Sequence, residues 1–392
     1  MKIKIALVIR GFHSGGIEKV FETYFSHMDL ELYEIHVVTN MKNIPERQKI
    51  FEEMGCKVHA FSDMQGHRFK FRNIKEYERL FKLERFDIVH SNVPDNLFPL
   101  YFAKKNNVPL RILHAHNAYT DGFDKKSSLI SWLYRKGFAF NVFNANCLLA
   151  VSQKAAKAAF ADKSEKAVIL KNAIDLEEFA FNQESRNKIR KQLGIQAYEI
   201  LLGHVGRYEN ANKNQEFVLN LFKIILEKHS NCKLVMIGEG KRRQKFMDMA
   251  KELGIAEKTI FTGAILNVNE YLSAMDIFVA PSRKEGFMIA GIEAQTSGVK
   301  CILSDNTPEE VYVLKDLSVL PIIGKNALDQ WVKQVEKLLP EILNRDVNDR
   351  FAALDQVRVA GFDINEQALS LKAIYQGFLC DRQKADWIRI GL

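Results

Sequence analysis

MDIFVAPSRKEGFMIAGIEAQTSG, running from Met275 to Gly298, is the stretch on which the fold turns. Its first six residues, Met275 to Ala280, make an apolar run of strand length. The polar turn Pro281 to Gly286 follows, and then a short run of small residues suited to a helix. Strand, glycine-bearing turn and helix together are the repeating unit of a parallel α/β sheet. Glu285 and Glu293 stand eight positions apart and straddle the junction. Ligands bind at such junctions because backbone N–H groups and the positive end of a helix dipole are exposed there. Carboxylates beside an anion site suit a ligand that carries both phosphates and hydroxyls, and a sugar nucleotide is such a ligand. Spacing alone would mean little in a glutamate-rich chain; the strand, Glu-Gly turn and small-residue helix carry the reading.

Outward from this stretch the same alternation continues in both directions. Before it, apolar or β-branched runs predict strands at Ile3–Ile9, Glu34–Thr39, Lys57–Phe61, Ile88–Ser91, Leu110–His114, Cys147–Val151 and Ala167–Lys171. Amphipathic stretches such as Glu18–His27 and Asn73–Leu83 fill the gaps. A second series runs through Ile200–Val205, Lys233–Ile237, Thr259–Thr262, Asp276–Val279, Lys300–Leu303 and Ser318–Pro321. The expected fold is α/β, with two Rossmann-like doubly wound domains facing a central cleft that holds the site. Lys171–Asn187 separates the two series and reads as the inter-domain linker. The expected domains are residues 1–178, residues 188–363, and a C-terminal helix within residues 364–392.

The bulk numbers agree with two cores: 392 residues exceed one ordinary domain, with 47% apolar and 27% charged side chains. No apolar run approaches a membrane span. The start, MKIKIALVIRG, reads as a first buried strand rather than a secretory signal. Five scattered cysteines (Cys56, Cys147, Cys232, Cys301, Cys380) without a CxxC pair point to reduced thiols in a cytoplasmic protein. The net charge of +8 is uneven, and residues 101–150 hold 7 basic against 2 acidic side chains. Within them Lys125 to Phe140 (KKSSLISWLYRKGFAF) mixes basic and large apolar groups at helical spacing. Such a helix can rest on an anionic bilayer near a lipid-linked acceptor, or simply face a core with a solvated basic side.

Three further positions suit the ligand chemistry. After the first strand, Gly11-Phe12-His13-Ser14-Gly15-Gly16 offers paired glycines at a βα turn, where backbone amides can approach a diphosphate. It lacks the GxGxxG fingerprint, and Thr39-Asn40 offers no acid for an adenosine ribose, which disfavours a nicotinamide dehydrogenase. Arg207 and Lys213 lie in the loop after the first strand of the second series, a planar fork and a mobile point charge suited to a leaving diphosphate. His116 follows the Leu110–His114 strand, where an imidazole can hydrogen-bond a sugar hydroxyl. There is no HExxH and no DxD triplet, so no metal and no other cofactor is expected. The dull alternatives are a tight turn, a solvated basic pair and a structural histidine.

Taken together these residues resemble the retaining glycosyltransferases of the GT-B fold, family GT4. Glu285 to Glu293 matches the family's E-x7-E motif, Gly15-Gly16 its glycine loop, and Gly206-Arg207 with Lys213 its G-R-x5-K clamp. Asn172 to Asp175 with Phe179 is similar to the family's linker signature, and Phe261-Thr262-Gly263 to its F-x-G turn. The resemblance covers essentially the whole chain and leans towards bacterial enzymes of exopolysaccharide and capsule synthesis. It implies residue roles. Glu285 would contact donor-sugar hydroxyls and Glu293 the ribose. The amides of Gly286, Phe287 and Met288, with Gly16, would hold sugar and phosphate. Arg207 and Lys213 would stabilise the departing nucleoside diphosphate, His116 would lie against the sugar, and the main chain at Ala264 and Ile265 would meet the base. The last helix, around Ile364–Phe378, would cross back to the first domain.

The resemblance therefore implies a metal-independent, retaining transfer of a hexose or N-acetylhexosamine from a UDP-sugar to a lipid-linked saccharide. The site would be at the cytoplasmic side, peripheral on the inner face of the plasma membrane, with no nucleic-acid partner. A non-catalytic GT-B subunit that stabilises an active partner is the alternative. A phosphorylase would need a pyridoxal-binding lysine motif that the sequence does not show. The chain departs from the family pattern at Met288-Ile289, at Lys300 and at Asn306-Thr307-Pro308, where prolines or glycines are usual.

Overall fold

The structure, a computed structural model, describes residues 2–12, 16–40, 45–61, 71–116, 128–285 and 287–380. It divides into two compact units, Met1–Ala173 with Ile364–Leu392, and Ile174–Asp363.

In the first unit seven parallel strands, β1 (Ile3–Ile9), β2 (Tyr33–Thr39), β3 (Lys57–Ala60), β4 (Ile88–Ser91), β5 (Leu110–Ala115), β6 (Cys147–Ala150) and β7 (Val168–Ile169), lie in the order β3-β2-β1-β4-β5-β6-β7. Helices α1 (Gly16–Ser26), α2 (Pro45–Glu53), α3 (Phe71–Glu84), α4 (Phe98–Lys105), α5 (Ser128–Asn144) and α6 (Gln153–Phe160) make the crossovers. A parallel strand covered on both faces needs a continuous apolar run, and Ile5 to Ile9 are all buried. Ser152 caps α6 by accepting from the Ala155 N–H at 3.0 Å. The strand order reverses beside β1, which pairs with both β2 and β4. The carboxyl ends of β1 and β4 thus flank the switch point of this sheet.

The second unit repeats the plan with β8 (Ile200–Val205), β9 (Cys232–Ile237), β10 (Thr259–Gly263), β11 (Ile277–Ala280), β12 (Lys300–Ser304) and β13 (Ser318–Leu320), in the order β10-β9-β8-β11-β12-β13. Its helices are α7 (Leu176–Phe179), α8 (Gln183–Gln192), α9 (Gln215–Lys228), α10 (Arg243–Glu252), α11 (Val268–Ala274), α12 (Ile289–Thr296), α13 (Ala327–Asn344) and α14 (Ala352–Val359). On one face α9 packs against α13, around Phe222, Phe246 and the fully buried Trp331, whose indole N–H donates to the Pro321 carbonyl at 2.9 Å. The other face buries Leu272, Met275, Phe278, Met288, Ile292 and Phe362. Here the order reverses between β8 and β11.

Strand positions expected from the sequence agree with the sheets to within a few residues at either end. The expected linker, Lys171–Asn187, contains the division between the units. The division falls between Ala173 and Ile174, and the following residues dock on the second unit rather than bridging free. Ile174 donates to the Phe362 carbonyl at 3.1 Å, Asp175 caps α7, and Leu176 and Phe179 enter the core. Four residues after the cap do not make a helix by propensity alone; burial of Leu176 and Phe179 holds it. The expected basic helix appears as α5, which runs on to Asn144, while Lys125 to Ser127 lie outside the described residues. The last helix, α15 (Ile364–Cys380), belongs to the first unit, packs against α1 and buries Tyr375. No helix among the described residues is long and apolar enough to cross a membrane. Cys56, Cys147, Cys232 and Cys301 are free thiols, and burial pushes those of Cys56, Cys147 and Cys232 up to about 12.

Candidate functional site

In the second unit β8 and β11 are sheet neighbours, so the loops that leave their carboxyl ends emerge side by side. Lys213 and Glu285, 72 positions apart in sequence, meet there: the ammonium donates to a Glu285 carboxylate oxygen at 2.7 Å. The carboxylate side chain is 9% exposed and the lysine 25%. Backbone stitching fixes the two loops. Arg283 N–H donates to the Asn212 carbonyl at 2.7 Å, and its Nε to Asn214 Oδ1 at 3.2 Å. The Gln215 amide donates to the Arg207 carbonyl at 3.0 Å. Asn214 adopts a left-handed conformation (φ 55°), which asparagine tolerates better than most residues. Arg207 itself is exposed at the mouth of the loop.

Gly206 is required by close approach. A Cβ there would meet Lys213 Cγ at 2.9 Å, so the lysine stem lies directly on the glycine backbone. Behind it sits His204, fully buried on β8. Its Nδ1 is 2.9 Å from the Val279 carbonyl, which makes Nδ1 the donor and leaves the lone pair on Nε2. Burial lowers this imidazole to about 4, with the Lys213 charge adding to the effect, so the ring is neutral around pH 7.

Other expected site residues fall around this pair. Glu293 is half-buried in the middle of α12. Phe287 is half-buried, with its ring 5.8 Å from that of Phe362. Met288 is 1% exposed and packs in the core beside Gly291 and Val311, so its side chain serves packing. Ala264 is exposed and Ile265 half-buried, just past Gly263, whose φ of 75° turns the chain at the end of β10. β10 lies three strands from β11, or about 14 Å at ordinary inter-strand spacing. The expected base contact and the Glu285 loop are therefore spread along one sheet edge. Gly15 and Gly286 lie outside the described residues, and Gly16 opens α1.

In the first unit His116 follows β5 and is buried in a polar chain. His116 Nε2 is 2.7 Å from Asn92 Oδ1, and its ring centroid lies 4.0 Å from that of His114. His114 Nδ1 meets His90 Nε2 at 3.1 Å, and His90 Nδ1 meets the Tyr375 hydroxyl at 2.8 Å. Burial lowers His90 and His116 to about 3 and His114 well below its ordinary value. All three rings are neutral near pH 7, and His116 donates from Nε2 to the Asn92 oxygen. This is a positioning arrangement rather than a charged one. Sequence reasoning missed Asn92, His90, Tyr375 and Arg283. Asn92 follows a strand end and Arg283 adjoins Glu285, signals that could have been used; the contact of Tyr375 spans 285 positions and left no local trace.

Glu34, His36 and Glu84 form the group of possible metal ligands found among the described residues. It lies at the amino-terminal edge of the first sheet, and lysines already occupy it. Lys57 reaches Glu34 at 2.6 Å and Lys4 reaches Glu84 at 3.0 Å, so the group reads as an ion-paired cluster.

Comparison with known proteins gives the class. Residues 14–178 match the family described as Glycosyltransferase Family 4, and residues 185–349 match Glycosyl transferases group 1. A putative glycosyltransferase, EpsF of Bacillus subtilis, is 28% identical over 316 residues, covering 79% of this chain and 80% of that protein. The Escherichia coli UDP-Gal:alpha-D-GlcNAc-diphosphoundecaprenol alpha-1,3-galactosyltransferase is 22% identical and covers 95% and 97%. Among solved structures, Anabaena HepE in complex with UDP superposes with a TM-score of 0.75 at 14% identity, over 96% of this chain and all of that one. The two Rossmann-like units are those of the GT-B fold. The chain belongs to the GT4 glycosyltransferases, its first unit carrying the family 4 domain and its second the group 1 domain.

Proposed function

We propose that this glycosyltransferase moves a hexose or N-acetylhexosamine from a UDP-sugar to a lipid-linked saccharide, with retention of configuration, in the synthesis of a surface polysaccharide. The observation that carries the reading is the meeting of Lys213 and Glu285 at the switch point of the second sheet, beside the exposed Arg207. Cations placed where a diphosphate departs stabilise the charge that develops in the transition state, commonly the largest catalytic term. Arg207 and Lys213 take that role. Glu285 takes the sugar hydroxyls, Glu293 the ribose, and the main chain near Ala264 and Ile265 the base. Gly15, Gly16, Gly286, Phe287 and Met288 contribute backbone amides, and His116 is assigned to the sugar. In the retaining step the bond from the anomeric carbon to the leaving phosphate breaks. The acceptor oxygen bonds the same face of that carbon, and its proton passes to the leaving phosphate. Because Arg207 and Lys213 neutralise the diphosphate in this reading, chelators should leave turnover unchanged.

Support for the acceptor and pathway comes from relatives. The galactosyltransferase above is named for a diphosphoundecaprenol acceptor, and the related Staphylococcus aureus CapH for capsular polysaccharide biosynthesis. A surface on α4 and α5 fits a lipid-side acceptor. Tyr101 and Phe140 are exposed and stacked at 6.0 Å, while Phe143 is 67% exposed beneath the Lys104 ammonium. Lys105 and Lys136 are exposed nearby in sequence on the same two helices. Aromatic rings with flanking lysines suit the interface of an anionic bilayer. Sedimentation with phosphatidylglycerol vesicles, and none with phosphatidylcholine alone, is the expected result. For the reaction, purified protein mixed with a panel of nucleotide sugars should release UDP from at least one UDP-sugar; release of no nucleoside diphosphate from any donor, with or without a lipid-linked acceptor, would favour the non-catalytic subunit.

A further inference from the structure

We propose that Glu285 is a counter-ion that the incoming diphosphate must displace, so that binding the phosphates frees this carboxylate for the sugar. The inference rests on the donor reading above and deepens it. The ammonium assigned to the diphosphate is held by the carboxylate assigned to the sugar hydroxyls, at 2.7 Å. The contact joins the ammonium to one oxygen, Oε1, of the carboxylate, so an incoming diphosphate competes with Glu285 for the same cation. Lys213 has three N–H donors, but its stem lies on the Gly206 backbone, which limits how its head can move. The carboxylate side chain is nine-tenths buried, so water replaces the lysine poorly when the pair opens.

A diphosphate carries more negative charge than one carboxylate and so competes well for the ammonium. Once displaced, Glu285 is a partly desolvated acceptor, and sugar hydroxyls are the donors at hand to satisfy it. His204 holds a second acceptor behind the same lysine: its Nε2 is buried, carries the lone pair and has no hydrogen-bond partner. A Cβ on Gly206 would lie 3.2 Å from that nitrogen and 2.9 Å from Lys213 Cγ, so the imidazole and the lysine stem flank one glycine. The neutral imidazole can hold the lysine in its phosphate-binding position without competing for it electrostatically. The order of events follows: phosphates first, sugar second. A free sugar meets a Glu285 that is already engaged, whereas a sugar nucleotide supplies the anion that releases it.

The test is the affinity for UDP, the diphosphate without the sugar, measured by calorimetry on the full chain. Glu285→Gln removes the competing charge but keeps the shape. It should bind UDP about fivefold more tightly than the parent chain, the size of a partly screened ion-pair coupling, while losing transfer. Glu285→Ala, a second way to remove the carboxylate, should also tighten UDP, which guards against a misfolded amide variant. Lys213→Ala should weaken UDP and remove the gain from Glu285→Gln in the double variant. Unchanged or weaker UDP binding in both Glu285 variants, with native melting curves, overturns the counter-ion role and leaves the donor reading standing. A parent chain that binds no UDP overturns both.

Discussion

The two ends of the second sheet handle charge in opposite ways. At its amino-terminal edge Arg350 is fully buried, and its guanidinium donates to the carbonyls of Leu272, Ser273, Met275 and Ser297 at 2.9–3.0 Å. These carbonyls close α11 and α12, whose dipoles end negative there. Beside it Asp276 accepts from Arg186 at 2.7 Å, Arg190 at 3.0 Å and the Leu201 N–H at 2.8 Å. Burial holds the Arg350 pKa well below its usual value, a sign of how far the group is from water. At the carboxyl-terminal edge, by contrast, Arg207 is exposed and Lys213 is committed to a single carboxylate. The arginines at one edge bond several carbonyls and a shared carboxylate of the fold, whereas at the other Arg207 is exposed and Lys213 pairs with Glu285. Charge type alone does not mark a site; what the charges are already bonded to does.

The largest effect that can break this contrast is Arg350→Met. It leaves four helix-end carbonyls without their donor and should cost on the order of 4 kcal/mol. For a unit of this size that lowers the melting temperature by about 10 °C in a thermal scan. A variant that melts like the parent would mean the guanidinium is not what ties these helices. Arg207→Ala should do the reverse, lowering turnover by about 10²- to 10³-fold with an unchanged melt. Steady-state kinetics beside calorimetry separate the two, and a destabilised Arg207→Ala would blur the edges. Asp276→Asn is expected to cost about 2 kcal/mol in a denaturant titration, since two guanidinium groups lose their shared anion.

A pH-dependent effect sharpens the picture at the carboxyl-terminal side of the sheets, where the buried histidines lie. His90 and His116 are lowered to about 3 and His204 to about 4, from an ordinary 6.5, with burial as the leading cause in each. Between those values the unfolded chain binds protons that the folded chain refuses. Stability is therefore full above pH 6.5 and falls as the pH drops towards 3. Denaturant midpoints should be level from pH 7 to 8 and decline below pH 6. A midpoint that rises on acidification would contradict neutral buried rings.

How far the sequence foretold this depends on the range of each interaction. The inner strands were legible because parallel strands covered on both faces need unbroken apolar runs, as in Ile5–Ile9 and Ile277–Ala280. The G-R-x5-K and E-x7-E patterns placed Lys213 and Glu285 on loops at strand ends. Their ion pair was not legible, because it depends on which strands are neighbours. Arg350 left no sign at all: its partners are backbone carbonyls, which every residue has. The segment Ile174–Phe179 read as a linker because its cap and two apolar anchors are too few to show a period. The burial of the Met288 side chain beside Gly291 and Val311 was not legible either, and it leaves the role expected of its backbone amide untouched.

The most direct measurement is UDP release by the purified chain from a panel of UDP-sugars with a lipid-linked saccharide acceptor, run beside Arg207→Ala. The expected result is release from one UDP-sugar at a rate that Arg207→Ala lowers at least a hundredfold while melting normally. Equal rates in the two proteins, or no release from any donor, would contradict a diphosphate site at the carboxyl-terminal edge of the second sheet.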